Sequence, residues 1–274
     1  MLHVITSVHN RYSITEKFVG LLKKQTYRDI HLVLVDDGST DGTAEMVLTQ
    51  MPDATILHGD GNLWWGGGLH MAYRWIIGEG KLPETDMIMI SNDDVAFDDT
   101  YIERGISLLE SHPETLITGY GISQQTGKQA DGAVELRFPE GGGYRIEKPE
   151  AYGNCASTHS LFLYVKDMKR IGGFHPVLLP HYGSDYEWTY RAHKKGLKIF
   201  CTDELQYYVN EETSGYKNSD LKTILSKKSV SNPVYKLTCA WLTPPVGMKC
   251  ASVITQLIRL GKRFFEHSDG KAKK

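Results

Sequence analysis

Through the first third of the chain, short apolar runs alternate with stretches in which apolar side chains recur at helical spacing. The runs HVITSV (3–8), IHLVLV (30–35), ATIL (54–57) and MIMI (87–90) read as strands, being short and bounded by polar turns. Between them, Ile14, Phe18, Leu21 and Leu22 mark one face of a helix, and Ser13-Ile14-Thr15-Glu16 has the spacing of a capping box that opens it. Residues 43–51 and 66–77 supply two more helices. Strands alternating with helices predict an α/β fold with a doubly wound, mostly parallel sheet. Right-handed crossovers then bring the strands' carboxyl ends to one edge, where open sheets bind their ligands. Residues 6–10, 36–39, 61–68 and 92–94 fall on that edge.

The second half starts with a helix over 98–110, carrying Ile102, Ile106 and Leu109 on one side. Residues 116–146 are rich in Gly, Gln and Thr, with alternating stretches such as VELRF and YRI, which predict antiparallel hairpins rather than further βαβ units. Residues 153–165 read as a strand region, and 166–171 as a short helix before Gly172-Gly173-Phe174. HYGSDYEW (181–188) leads into a helix ending KKG, with Gly196 as its stop and Lys194 and Lys195 at the negative end of its dipole. A polar helix is expected at 219–228. Over 248–265, Cys250, Val253, Ile254, Leu257, Leu260, Gly261 and Phe264 form an apolar stripe. Lys249, Arg259, Lys262 and Arg263 mark the other side, and Lys271, Lys273 and Lys274 extend the charge. A basic amphipathic helix of this kind suits an anionic membrane surface, and equally suits docking on the rest of the chain or on a second subunit of a homodimer.

Composition narrows the function more than the fold. The 274 residues carry a net charge of −2, which offers no global basic field for nucleic acid. Four cysteines, at 155, 201, 239 and 250, form no CxxC pair and no metal-ligand spacing, as expected of free thiols in a reducing compartment. A strand begins almost at once, with no signal-peptide pattern, and no apolar run approaches the roughly 20 residues that span a bilayer. The expected location is cytoplasmic, peripheral on the inner face of the plasma membrane if the last helix binds lipid.

Candidate chemistry collects at the strand ends. Asn92-Asp93-Asp94 stops the fourth run abruptly, and two adjacent carboxylates call for a cation or a donor-rich ligand to offset their repulsion. Hard oxygen ligands beside a nucleotide cleft suit Mg²⁺ or Mn²⁺; the same turn would equally serve as a helix cap. Asp36-Asp37-Gly38-Ser39 delivers a second acidic turn to the same edge, again a turn former as well as a ligand site. Gly66, Gly67 and Gly68 allow a ligand close to the backbone ahead of a helix N-terminus, with Trp64 and Trp65 as walls and Asn62 as a further contact. The G-x-G-x-x-G fingerprint is absent from the first βα turn, which reads HNRYS. Asp185 and Glu187 sit at the start of their helix, where dipole stabilisation accounts for one acid readily.

Taken in order, VITSVHNR, LLKKQTY, VLVDDGSTDGT, GNLWWGGG, SNDDV, GGF and GSDYEW resemble a family 2 glycosyltransferase of the GT-A fold, in a bacterial rhamnosyltransferase-like branch. The likeness runs over about residues 2–210. It implies a GT-A catalytic domain over 1–215, with a nucleotide-sugar half (1–97) and an acceptor half (98–215), followed by a helical extension over 216–274. It implies an inverting, divalent-metal-dependent transfer of a sugar from a nucleotide-diphosphate sugar, UDP- or dTDP-linked, to a hydroxyl of a glycan or lipid-linked acceptor in cell-surface polysaccharide synthesis. By that resemblance Thr6 and Val8 flank the base, Asp37 accepts from it, and Asn10, Asn62, Trp65, Gly67, Asn92 and Asp93 belong to the nucleotide-sugar site. Asp94 is the metal ligand, Asp185 the catalytic base, and His181 and Glu187 are secondary or acceptor-side residues. Asn210 stands where relatives often carry a histidine for the metal or diphosphate. The competing readings are a nucleotidyltransferase, which should show a GxGTR-like loop after the first strand, and a nucleotide-sugar-binding module without turnover.

Overall fold

The computed structural model describes residues 1–140, 142–210, 224–227 and 229–271. Strands β1 (Leu2–Val8), β2 (Ile30–Asp36), β3 (Thr55–His58) and β4 (Met87–Ser91) alternate with helices α1 (Tyr12–Lys24), α2 (Thr43–Gln50) and α3 (Trp64–Ile77). The four strands lie side by side in the order β4-β1-β2-β3, all parallel, with Ile5 opposite both Val33 and Ile90. Their side chains feed two cores. Leu2, Val4 and Val8 pack with α1 on one face, and Ile5, Val33 and Ile90 pack with α3 on the other. Burial on both faces explains why β1, β2 and β4 appear in the sequence as largely apolar runs, whereas β3, at the sheet edge, is only partly buried.

The second half joins the same sheet. After β5 (Val95–Ala96) and α4 (Tyr101–Ser111), β6 (Thr115–Ser123) enters the sheet two places from β4, separated from it by β12 (Ser160–Tyr164). β12 runs antiparallel to both neighbours, while β13 (Lys198–Val209) runs parallel to β6. The expectation of hairpins alone over 116–146 is therefore corrected: β6 is a strand of the main sheet, and the sheet is mixed. The hairpin character holds for β7 (Gln129–Asp131), antiparallel to β6, and for β8 (Ala133–Arg137) and β9 (Gly142–Arg145), which pair with each other. The expected strand region at 153–165 divides into β10 (Glu150–Gly153), β11 (Cys155–Ala156) and β12, after which α5 (Val165–Ile171) begins.

Helix α6 (Ser184–Lys194) ends as expected, with Gly196 in the left-handed region at φ +87. Lys194 and Lys195 serve neighbouring helix ends rather than their own. Lys195 Nζ donates to the Arg170 carbonyl at the end of α5 (2.6 Å). Lys194 Nζ donates to the carbonyls of Leu242 and Thr243 (3.3 and 3.2 Å), which close helix α7 (Pro233–Leu242). The last helix, α8 (Lys249–Lys271), packs against α7. The polar helix expected at 219–228 and the boundary at 215/216 lie largely outside the described residues.

The capping box is also corrected. Helix α1 starts at Tyr12, with Arg11 as its N-cap residue, so Ser13 lies inside the first turn. The Tyr12 N–H is taken instead by Asp41 Oδ2 (3.0 Å), from the DDGSTDGT loop.

Candidate active site

A cavity of about 860 Å³ opens at the carboxyl edge of the sheet, a size suited to a ligand larger than a single sugar. Val8, Asp37, Asn92, Asp93 and Asp94 reach it from the strand ends, and Trp64 and Trp65 from the start of α3. His181 and Asp185 come from the entry to α6. The C-terminal helices complete the wall: Lys236 and Cys239 of α7 and Gln256 of α8 also line it.

The two acidic turns have distinct local jobs. Asp36 Oδ1 accepts from the Ser39 N–H (2.9 Å), closing its own turn. Asp37 crosses to the next connection, accepting from Gly61 N–H (2.8 Å), Leu63 N–H (2.9 Å) and Trp64 N–H (3.0 Å). It thus caps the N-terminus of α3 while still lining the cavity, so the turn-forming and ligand-facing readings share one side chain. Asp93 is buried beside Arg11 and Thr15. Arg11 Nε lies 2.9 Å from Asp93 Oδ1, its other arm donates to Asp94 Oδ2 (3.0 Å), and the Thr15 hydroxyl donates to Asp93 Oδ2 (2.8 Å). Burial works against the charge on Arg11, but Asp93 and Asp94 outweigh it and hold its pKa above the ordinary value. Burial pushes the Asp93 carboxyl up, against the opposing pull of Arg11 and Thr15.

Asp185 stands in the first turn of α6, behind Gly183 at φ +82. The turn is tied down by Ser184 Oγ, which donates to the His181 carbonyl (2.6 Å), and by Thr189 Oγ1, which donates to the carbonyls of Asp185 (2.8 Å) and Ala156 (2.9 Å). Burial raises the Asp185 carboxyl to about 6, against the hydrogen bond from the Tyr186 N–H and the nearby His159. A carboxylate tuned close to neutrality and facing a cavity can accept a proton under mild conditions.

Several expected residues lie elsewhere. Thr6 is fully buried within β1 and does not line the cavity. Asn10 is exposed at φ +52, bracing the 39–40 turn by accepting from the Thr40 N–H (2.8 Å). Asn62 is exposed and accepts from Lys227 Nζ (2.8 Å) and Trp64 Nε1 (3.2 Å). Gly67 and its neighbours sit inside α3, not ahead of it, and their bareness lets the helix pack closely. A Cβ on Gly68 would lie 2.1 Å from Ser7 Oγ, and one on Gly66 would lie 2.5 Å from the Leu179 carbonyl. Glu187 is buried in a bidentate pair with Arg191 (3.0 and 2.8 Å). Arg191 also donates to the Gly173 carbonyl (2.8 Å) and Phe174 stacks on Trp188, so Glu187 and GGF are parts of one structural joint. His181, by contrast, does line the cavity and packs its ring against Trp64, with centroids 5.4 Å apart. Asn210, just beyond β13, accepts from Gln125 Nε2 (2.6 Å).

One cluster escapes the sequence entirely. The Asp131 Oδ2 atom accepts from His159 Nδ1 (2.6 Å), from Tyr207 OH (2.6 Å) and from Ser157 Oγ, while Oδ1 accepts from the Gly132 N–H (2.8 Å). Burial alone would raise this carboxyl, but His159 and the two hydroxyls overcome it and bring its pKa to about 2. Burial likewise opposes charge on His159, yet Asp131 lifts the imidazole to about 9, with Asp185 and Asp94 adding to the effect.

Among the described residues, no three His, Cys, Asp or Glu side chains converge as a ready-made metal cage. Asp94 at the cavity wall nonetheless fits the mode in which Mg²⁺ or Mn²⁺ takes one or two protein carboxylates and completes its shell from phosphates and water.

Comparisons with known proteins bear on the fold and the family. In fold, the chain is similar to GalNAc-T7, solved with UDP, GalNAc and Mn²⁺ (TM-score 0.66, 11% identity), over 88% of this chain and 48% of that one. It is similar to the mannosyltransferase PcManGT from Pyrobaculum calidifontis, solved with GDP-Man and Mn²⁺ (TM-score 0.57, 13% identity), over 99% and 78% of the two chains. It is also similar to S. aureus TarS (TM-score 0.55, 15% identity), over 76% and 36%. The chain thus spans about half the length of the first of these and about a third of the last. A search of curated proteins finds no match. The fold is GT-A, a mostly parallel sheet joined by antiparallel strands and flanked by helices. The family profile described as "Glycosyl transferase family 2" matches residues 3–168, more than half of the 274, and the chain belongs to that family.

Proposed function

We propose that this protein is an inverting glycosyltransferase that moves a hexosyl or deoxyhexosyl group from a UDP- or dTDP-linked donor to a hydroxyl of a glycan or lipid-linked acceptor. The observation that carries the reading is the sharing of one cavity by Asp94 and Asp185 in a chain of this family. Asp185 removes the acceptor proton as the acceptor oxygen bonds to the anomeric carbon and the bond from that carbon to the diphosphate breaks. Its near-neutral pKa matches that task, and general-base assistance contributes roughly 10²–10⁴-fold. With attack and departure on opposite sides, one displacement inverts the anomeric centre and no covalent nucleophile is required. Asp94, with Asn92 beside it, holds a divalent cation, which when bound offsets the charge of the departing diphosphate. Asp37, Val8 and Trp65 form the nucleotide end of the cavity. Arg11 bridges the two acids of the metal turn and offsets their mutual repulsion.

The acceptor side suggests a lipid-linked substrate in bacterial cell-surface polysaccharide synthesis, met by a peripheral enzyme on the cytoplasmic membrane face. No helix among the described residues is long and apolar enough to cross a membrane. Among the residues of α8 whose burial is described, however, Ser252 and Gln256 are buried, whereas Ile254, Leu257 and Ile258 are more than half exposed, with Lys249, Arg259 and Lys262 nearby. An apolar face bordered by cations suits an anionic lipid surface. A homodimer contact would use the same face.

The test is a panel of UDP-, dTDP- and GDP-sugars with Mn²⁺, read by thermal shift and by release of free nucleotide. Stabilisation and turnover with one donor class are expected, with Asp94→Ala losing the metal-dependent binding. Turnover that survives Asp185→Asn undiminished would remove the base from the mechanism and favour a binding module.

A further inference from the structure

Around Asp185 the cavity is walled by groups that have no part in the mechanism above. One wall is the β8–β9 hairpin. Tyr186, the residue after the base, packs with Phe138 against Val134 and Leu136 of β8, and Arg145 of β9 stands opposite Val134 in the register. The other wall is α7. A Cβ on Gly183, two residues before the base, would lie 2.6 Å from Cys239 Sγ, and Tyr235 lies one turn back from Cys239 on the same face of that helix. Arg145, Tyr235 and Lys236 all line the cavity. Gln256 and Arg259 of α8 donate to the Glu140 carbonyl between β8 and β9, and α8 packs on α7, so the two walls are fastened together.

We infer that Arg145 and Tyr235 hold an acidic group of the acceptor, a carboxylate or a phosphate, beside the hydroxyl that reacts. The inference rests on the sugar-transfer reading and names the chemistry of its acceptor. Arg145 donates from Nη1 to the Gln129 carbonyl (2.8 Å), and no carboxylate among the described residues forms an ion pair with it. The other acids of the cavity wall are engaged elsewhere. Asp93 and Asp94 are paired with Arg11, Asp131 with His159, and Asp37 accepts from three backbone N–H groups. Tyr235 is only 6% exposed, and its hydroxyl meets no hydrogen-bond partner among the described residues. Buried hydroxyls are ordinarily paired, so an unmet one in a cavity wall marks a place for a ligand's acceptor atom. Asn232 caps α7 by accepting from the Val234 N–H (2.9 Å), which holds the turn carrying Tyr235 in place. A forked guanidinium without a counter-charge, joined by a phenol, suits an oxyanion better than a neutral hydroxyl. A single displacement puts the departing diphosphate across the anomeric carbon from the base. Groups that flank the base's own turn therefore meet the acceptor rather than the donor.

The experiment loads the full chain with whichever of UDP, dTDP and GDP it binds, together with Mg²⁺, and titrates in methyl glucoside, methyl glucuronide or methyl glucoside 6-phosphate under NMR. The three probes share one ring and differ only in its exocyclic group. At least one acidic probe should bind about 10-fold more tightly than the neutral one, and the tighter of the two identifies the acid as carboxylate or phosphate. Arg145→Met should erase that margin and Tyr235→Phe should narrow it, with affinity for methyl glucoside and for the nucleotide as in the wild type. Arg145 is exposed and Tyr235→Phe deletes only an unpartnered oxygen, so both variants should keep the wild-type melting temperature. Equal binding of the three probes overturns the inference, as does binding of none of them, or a margin that Arg145→Met leaves intact. Weaker nucleotide binding in Arg145→Met also overturns it, because the arginine would then serve the donor. A margin unmoved by Tyr235→Phe strikes the tyrosine from the site. Wild-type protein that binds none of the three diphosphates overturns the sugar-transfer reading itself.

Discussion

Replacing Asp185 by Asn should remove sugar transfer and at the same time make the protein more stable at neutral pH. The carboxyl is raised by burial from an ordinary value of 3.8 to about 6 in the folded chain. A carboxyl whose folded pKa lies above its unfolded one contributes most below the unfolded value, and that contribution is lost as pH rises from about 4 to about 6. Two pKa units correspond to roughly 3 kcal/mol; because the side chain borders an open cavity, about 1–2 kcal/mol is the working expectation. The amide cannot ionise and keeps an oxygen for the Tyr186 N–H. Chemical denaturation of both proteins from pH 4 to pH 8 measures the difference directly. The two should be nearly equal near pH 4 and diverge to a plateau above pH 6, with Asp185→Asn the more stable. In parallel, the wild-type rate should climb with an apparent pKa near 6, since the base must be ionised to accept a proton. A stability difference that does not change with pH would refute the burial argument. Full turnover in Asp185→Asn would refute the assignment of the base.

Three further outcomes follow from other contacts. Arg11→Met strips the buried Asp93 of its cation and should destabilise by about 2–3 kcal/mol in urea unfolding; adding Asp93→Asn should recover much of this, and additivity of the two would mean that they do not interact. Gly68→Ala drives a methyl to within 2.7 Å of Ser7 Cβ as well as against its hydroxyl, and should lower stability by about 1–3 kcal/mol. Ser7→Gly in the same chain should relieve the clash; no relief would place the strain elsewhere. Ile254→Glu with Leu257→Glu should abolish co-sedimentation with phosphatidylglycerol vesicles while leaving the melting temperature unchanged, because both side chains are exposed. Undiminished co-sedimentation would dismiss the lipid-facing role of α8.

The parallel half of the sheet was legible because β1, β2 and β4 are covered on both faces, so their apolar runs end sharply at the ligand edge. Strand β13 was not, since KIFCTDELQYYV mixes polar and apolar positions and is irregular between Thr202 and Gln206. Its place is set by pairing with β6, about eighty residues earlier, which no local pattern encodes. Glycines 66–68 were legible as a close approach, but the partner is Ser7 and the 179–184 turn rather than a ligand. For Glu187 a signal existed: Arg191 follows at the i,i+4 spacing of a helical ion pair. Arg11 appeared only as part of the turn after the first strand, and nothing local linked it to Asp93, 82 positions later. Asp131 and His159 gave no signal at all. They lie in polar stretches 28 positions apart, and only the mixed sheet brings Tyr207 and Ser157 to the same carboxylate.

Helix α8 touches two environments at once. Gln256 lines the cavity, and the next two residues, Leu257 and Ile258, look outward from the molecule. Trimming the tail to improve handling would therefore unroof the chamber as well as strip the outer surface. Whatever covers the outer face of this rod therefore covers the back of a wall of the cavity.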